Sequence, residues 1–353
     1  MTASVRTWPH LLAALLRGQD LSADEARWAM DQVMDDAHEP VALAGFLIAL
    51  RAKGETAAEI GGLLDALMAR VIPLPVDGSG MLDIVGTGGD GAHTVNISTM
   101  AAIVTAAAGA PVVKHGGRSV SSKSGSADVL EALGLPLTLT PAQVARCVTD
   151  LGIAFTFAPA FHHGLRHAAP VRRALGVPTA INYLAPLTNP ARPGAAVVGC
   201  SNSRIAPVLA TVLAERGTTA LVVRGRDGLD EITTAAPTDV WITDAHGGVR
   251  AAHLDTARHG LPRPQPDALR GGDAVANAKV VHDVLGGVPG APRDAVVANA
   301  AGALAVHGAP AGADLEDRFA DGLARAYAAI DDGNAAALLD RWIALAAALA
   351  EDN

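Results

Sequence analysis

Asp83-Ile-Val-Gly-Thr-Gly-Gly-Asp-Gly-Ala-His-Thr-Val-Asn-Ile-Ser-Thr99 is the stretch from which the fold can be read. Residues 82–85 read as a short buried strand that runs directly into Gly86, Gly88, Gly89 and Gly91. Glycines there let the backbone turn tightly and bring its N–H groups against a ligand. Asn96, Ile97, Ser98 and Thr99 follow, and residues 100–109 read as an apolar, alanine-rich helix. A strand, a glycine turn and a helix N-terminus together make an anion site, because the first helical N–H groups have no partner in the helix. Taken alone, the segment also reads as an ordinary strand-to-helix turn capped by Ser98 or Thr99.

The next segment repeats the grammar. Residues 111–114 read as a second strand, ending in Lys114-His-Gly-Gly-Arg-Ser-Val-Ser-Ser-Lys-Ser-Gly-Ser126, and a helix begins at Ala127. Two such loops at adjacent strand ends suit a ligand with more than one phosphate. Lys114, Arg118 and Lys123 would supply charge, and the serines hydrogen bonds. The competing reading is a solvated basic loop. Neither segment carries Gly-x-x-x-x-Gly-Lys-Ser/Thr or Gly-x-Gly-x-x-Gly with an acidic residue on the next strand, so a phosphate ligand other than ATP or NAD is expected.

Outward from these loops, the 353 residues suit two domains, or one large α/β unit with an attachment. Half the residues are hydrophobic and 3% aromatic, so the apolar mass is Ala, Val and Leu, which pack helices closely. The net charge of −9 argues against a nucleic-acid surface, which needs clustered Lys and Arg. Cys147 and Cys200 are too few for a disulfide framework. The first residues lack a signal-peptide core and no apolar run of about 18 residues appears, so a soluble, cytoplasmic protein is expected, without a membrane partner.

Residues 7–71 read as helices only, with capping boxes at Ser22/Glu25 and Thr56/Glu59 and a helix opening at Glu39-Pro40. The third helix, apolar almost all round, must be covered on several sides, by its own bundle or by a second subunit. Pro73, Pro75 and residues 78–80 form a hinge-like connector. From residue 82 strands and helices alternate, which indicates an open, mostly parallel sheet with ligands at the strand ends. Residues 158–176 read as one helical stretch holding three His and three Arg. Asp230 and Glu231 follow a strand at 219–223, where acidic groups facing phosphate loops are what magnesium with a diphosphate needs. A solvated turn is the alternative for that pair.

Gly86-Thr-Gly-Gly-Asp90, Asn96-Ile-Ser-Thr99, Lys114-His-Gly-x-Arg118, Val171-Arg-Arg, Pro186-Leu-Thr-Asn-Pro190 and Asp227-Gly-Leu-Asp-Glu231 occur in the order found in anthranilate phosphoribosyltransferases, and the chain resembles that family from about Trp8 to its C-terminus. The resemblance implies a small helical domain over residues 1–75, with a contribution from about 165–190, and a larger α/β domain over 80–353 that binds phosphoribosyl pyrophosphate. It implies a homodimer through the helical part, and Mg2+-dependent transfer of a 5-phosphoribosyl group to the amine of anthranilate in tryptophan synthesis. Carried over by position, Gly86, Gly89, Asp90, Thr94, Asn96, Ile97, Ser98, Thr99, Lys114, Arg118, Ser119, Ser121, Ser122 and Ser126 would bind the donor. Ser98, Asp230 and Glu231 would hold magnesium. On the acceptor side the resemblance points to Arg172 facing the carboxylate, with Gly86, Gly117, His162, Tyr183, Ala185 and Pro186 around it. Lys114 and His115 would be catalytic; His115 would orient the amine or take its proton after attack, unless it is purely structural.

The acceptor side departs from the family pattern. Gly117 stands in place of Asn, Ala185 in place of Gly and His163 in place of Pro, while Tyr183 adds a phenol beside that loop. Another aromatic acid or amine as acceptor is therefore the alternative expectation. A nucleoside phosphorylase of the same fold superfamily and a nucleic-acid-binding relative without catalysis are the other readings; the donor loops and the acidic balance oppose them.

Overall fold

The computed structural model describes residues 6–119, 122–244, 246–265, 267–308 and 314–351. Four helices open the chain: α1 (Trp8–Leu16), α2 (Ala23–Met34), α3 (Pro40–Lys53) and α4 (Ala57–Ala69). The side chains of Thr7, Ser22 and Thr56 cap α1, α2 and α4, and the two boxes with Glu25 and Glu59 are formed. Gly54 ends α3 at φ 93°, a conformation only glycine adopts freely. Glu59 is fully buried, yet its carboxylate accepts from Leu21 N–H (2.8 Å), Thr56 N–H (2.9 Å) and Lys53 Nζ (3.0 Å), which offsets the cost of burying it.

Seven strands follow, β1 (Leu82–Gly86), β2 (Val112–Gly116), β3 (Ile153–Phe157), β4 (Ala195–Gly199), β5 (Thr219–Gly225), β6 (Thr238–Thr243) and β7 (Val249–Leu254). They form one sheet in the order β3-β2-β1-β4-β5-β6-β7, parallel from β3 to β5 and antiparallel beyond. The interleaved helices are α5 (Ile97–Ala107), α6 (Ser126–Ala132), α7 (Pro141–Leu151), α8 (Ala158–Phe161), α9 (Ala169–Leu175), α10 (Ala180–Leu184) and α11 (Ala206–Glu215); α12 (Ala274–Leu285), α13 (Ala291–Val306), α14 (Leu315–Asp331) and α15 (Asn334–Glu351) close the chain.

The parallel strands are buried on both faces, and their period-2 alternation sorts side chains between two cores. Ala195, Val197, Leu221 and Val223 join the core formed with α5, α13, α14 and α15. Ala196, Val198, Ala220 and Val222 join the bundle core with Leu11, Met30, Phe46 and Leu63. The helical bundle thus rests on one face of the sheet through α11, with α9 and α10 contributing Val171, Ile181 and Leu184 to the same core.

One expectation needs correction, and one strand had no signal in the sequence. Residues 158–176 are not one helix: Pro159, Gly164 and Pro170 divide them into α8, a 3-10 turn at His163–Ala168 and α9. Gly164 sits where a Cβ would lie 2.6 Å from the Met34 side chain, so close approach to α2 sets the break. The edge strand β7 carries no apolar run that would announce it, since it is mostly exposed.

Candidate active site

The carboxyl ends of β1, β4 and β5 meet at Asp230. Gly86 and Gly199 lie opposite each other in the β1–β4 ladder. A Cβ on Gly86 would come within 2.3 Å of Asp230 Oδ2, and one on Gly199 within 1.6 Å of Asp230 O. The two glycines therefore let Asp230 lie directly against the strand ends. Its Oδ2 accepts from Gly88 N–H at 2.6 Å, joining the acidic pair to the glycine turn. Gly88, Gly89 and Gly91 hold that turn at φ 67°, 80° and 72°.

Burial and the neighbouring Asp90 push the Asp230 carboxyl up to about 7. Burial and Asp230 hold Glu231 well above the ordinary carboxylate range, more strongly than Lys114 lowers it. Buried carboxylates crowded in this way lack sufficient positive charge. Among the described residues no group of three or more His, Cys, Asp or Glu side chains forms a metal cage. A pair of crowded, buried carboxylates short of positive charge suits a hard cation such as Mg2+, which keeps waters and substrate phosphates in the rest of its shell.

Behind the turn, Lys114 on β2 is 2% exposed, and its Nζ donates to Ile84 O (2.5 Å) and Ser98 Oγ (3.2 Å). Burial lowers its pKa against the pull of Asp83, Glu231 and Asp230. Lys114 is thus placed under the donor turn, steadying Ser98, and does not project into an open loop. Ile97 N–H is taken by Val95 O, while the Thr99 hydroxyl is buried with no partner. Asn96 bridges the two loops: its amide donates to Ser124 O (3.1 Å) and accepts from Asn277 (2.8 Å), which also holds Gly272 N–H (2.8 Å). Thr94 pairs with Arg270 in an isolated bridge, so the turn is clamped from the segment before α12.

The second loop is folded on itself. Arg118 donates to Asp128 and Glu131 of α6, each at 2.8 Å, so its charge is directed to α6. Ser119 N–H also meets Asp128, and the Ser119 and Ser122 hydroxyls bond each other at 2.7 Å. Ser126 opens α6, and Ser121 lies outside the described residues.

On the acceptor side, His115 is 2% exposed, with Nδ1 3.0 Å from Thr156 Oγ1 and Nε2 3.3 Å from Thr188 Oγ1. Burial, then the nearby His162, push its pKa down to about 3. Its stability contribution is present above the unfolded histidine value near 6.5 and is lost as pH falls toward 3, because the unfolded chain takes up the proton first. The His115 ring resonance is accordingly expected to stay flat between about pH 5 and 8 in an NMR titration; a midpoint near 6.5 would contradict the buried, doubly bonded ring.

His162 packs edge-on to His115 at 5.3 Å; its Nε2 meets Thr188 O at 2.8 Å and its Nδ1 is buried without a partner. Arg172 on α9 is half-buried, burial lowers its pKa, and among the described residues its guanidinium meets no partner. Gly117 faces open space, with no atom within 4 Å of the point a Cβ would occupy. Pro186 is buried in a 3-10 turn, while Ala185 and His163 are exposed. Tyr183 departs from expectation: its ring lies under Arg51 (5.1 Å) and its hydroxyl accepts from Asn202 (3.4 Å), so its contacts are with α3 and the β4 end.

Sequence reasoning missed Asp83, Thr156, Thr188, Asn189 and Asn277. Asn189 donates to Asp83 Oδ2 (2.8 Å) and Val113 O (2.7 Å), and Asp83 accepts from His115 N–H (3.1 Å), so a buried polar network ties β1, β2 and the 188–190 loop. The Thr188-Asn189 pair within the Pro-Leu-Thr-Asn-Pro motif was its only local signal.

A helical bundle set against a mostly parallel sheet, with an acidic pair pinned to a glycine turn, defines a glycosyl transferase architecture. Residues 9–71 match the helical bundle domain of a glycosyl transferase family, and residues 78–336 its a/b domain. The chain belongs to the anthranilate phosphoribosyltransferase family. It is 56% identical to the anthranilate phosphoribosyltransferase of Salinispora arenicola, over 98% of each chain, and 54% identical to that of Saccharopolyspora erythraea, over 95% of each. Among solved structures, the Thermus thermophilus anthranilate phosphoribosyltransferase superposes with a TM-score of 0.86 at 37% identity, covering 95% of this chain and 99% of that one. The Saccharomyces cerevisiae enzyme in complex with PRPP and Mg gives 0.86 at 27% identity, covering 98% and 99%.

Proposed function

We propose that this chain transfers a 5-phosphoribosyl group from phosphoribosyl pyrophosphate to the amine of anthranilate, giving N-(5-phosphoribosyl)anthranilate and pyrophosphate. The observation that carries the reading is Asp230, buried between Gly86 and Gly199 and bonded to Gly88 N–H. The bond from ribose C1 to the pyrophosphate oxygen breaks, with the electron pair leaving on pyrophosphate. The amine nitrogen forms the new bond to C1 and then loses a proton. Positive charge develops on the sugar and negative charge on the leaving group, so preorganised donors on the diphosphate and a placed acceptor carry the catalysis. Backbone N–H groups of Gly89, Asp90 and Gly91 in the glycine turn supply such donors, and Lys114 donates to Ser98 from beneath.

Mg2+, held by Ser98, Asp230 and Glu231, would supply charge compensation to the diphosphate. Arg172, free of a protein carboxylate, suits the acceptor's carboxylate. An aryl amine is neutral at pH 7, so no strong base is needed. His115, with both ring nitrogens engaged and its pKa pushed down to about 3, is assigned to positioning rather than to proton removal. The test is loss of anthranilate fluorescence with donor and magnesium; an unchanged signal would overturn the reading.

A second reading, the same donor chemistry with another aromatic acid or amine, is favoured by the open space at Gly117. Gly117→Asn restores the family's amide in room that already exists. It is expected to lower KM for anthranilate about fivefold, the worth of one hydrogen bond of about 1 kcal/mol. Unchanged or poorer use of anthranilate in steady-state kinetics would count against that amide. We also place the domain boundary at the 72–81 connector and a homodimer contact on the bundle, where Leu16, Val41 and Ile48 are exposed. No helix among the described residues is long and apolar enough to cross a membrane, and a cytoplasmic location is part of this proposal.

A further inference from the structure

One cleft is lined by none of the residues assigned to the reaction above. Arg51 of α3 faces Ser201, Asn202, Ser203, Arg204 and Arg224 across an opening of about 390 Å3 between the bundle and the ends of β4 and β5. Three arginines line it, in a chain whose net charge is −9. Arg224 uses Nε on Ser201 O (2.9 Å), and Arg204 uses its backbone N–H on Asn202 Oδ1 (3.0 Å). Among the described residues neither guanidinium meets a carboxylate. Arg51 meets one, Glu55 at 3.1 Å, whose buried carboxyl is held above its ordinary pKa by desolvation.

The two walls are already in register. Arg51 lies over the Tyr183 ring, and the Tyr183 hydroxyl takes the Asn202 amide, so the side chains that set the cleft's width hold one another. Like charges gathered in a cleft repel until an anion enters. Planar guanidinium forks match phosphate oxygens with paired hydrogen bonds, while the Ser201 and Ser203 hydroxyls can add neutral ones. Ser201 Oγ donates to Gly88 O at 3.3 Å, so the cleft backs onto the glycine turn without sharing its N–H groups.

We propose that this cleft binds a small phosphate-bearing anion at a site separate from the donor loops, bridging the bundle and the α/β domain. The test is calorimetric titration of inorganic phosphate into the full chain, first alone and then saturated with phosphoribosyl pyrophosphate and magnesium without acceptor. The donor loops can also take phosphate in the free protein, so one or more phosphates per chain are expected there and one in the donor-saturated protein, with at least a tenfold loss of affinity for the latter in Arg204→Gln. That side chain is exposed, so folding should be untouched, and an unshifted thermal midpoint checks this. Ribose 5-phosphate in place of inorganic phosphate tells an ester from the free ion; tighter binding of either supports the site. Phosphate binding that disappears in the donor-saturated protein, or that is equal in Arg204→Gln and wild type, overturns it. If the chain takes up no sugar diphosphate at all, the sensitivity of the bare protein to Arg204→Gln still decides the cleft, independently of the transferase reading.

Discussion

Asp230→Asn is expected to cut phosphoribosyl transfer by about a hundredfold or more at millimolar magnesium, the scale of losing one preorganised electrostatic element of a transition state. The substitution is nearly isosteric, and its amide oxygen can still accept from Gly88 N–H, so the turn should keep its shape. What goes is the charge. Asp230 is buried beside Asp90 and Glu231, a crowding that raises both partners of the acidic pair. Without a bound cation that repulsion destabilises the fold, so the variant should melt a few degrees higher than wild type in metal-free buffer. A paired result is therefore predicted, lower turnover with higher thermal stability. Magnesium titrations of rate, set beside metal-free melting curves, check it. Wild-type magnesium dependence in the variant would remove Asp230 from the metal role.

Local signals explain what the sequence made legible. Ser22/Glu25 and Thr56/Glu59 are capping boxes, complete within four residues, and the structure starts helices at each. The strands from β1 to β4 are short runs that open on apolar residues and end in glycine or a helix cap, and the first of them leads into the glycine turn. The β7 strand escaped because an exposed edge carries no hydrophobic pattern to read. The site divides in the same way. Gly88, Gly89 and Gly91 announce the turn because positive φ is a property of single residues. Asn189 meets Asp83 across 106 positions, Asn277 meets Asn96 across 181, and Thr188 meets His115 across 73, and no local pattern encodes such pairings. Tyr183 and Arg118 illustrate the remaining gap. Their place in the chain was clear, but the choice of partner, Arg51 and Asn202 for one and Asp128 and Glu131 for the other, belongs to tertiary packing.

Gly199→Ala should be the most destabilising single methyl in the site. A Cβ there would stand 1.6 Å from the backbone oxygen of Asp230, and that oxygen cannot swing aside as a side chain would. Relief requires moving β4 or the 227–231 turn, and forced overpacking of this kind costs about 3 kcal/mol or more. Gly86→Ala supplies the contrast. Its nearest clash, at 2.3 Å, is with Asp230 Oδ2, the far end of a side chain that can rotate away. That variant should fold with a urea midpoint close to wild type while losing about tenfold or more in magnesium-dependent rate, because the carboxylate is pushed off Gly88. Urea unfolding and rate measurements on the two variants separate a backbone clash from a displaced ligand. Equal stability losses at the two positions would mean that Asp230 is held by the whole loop, with no freedom left in its side chain.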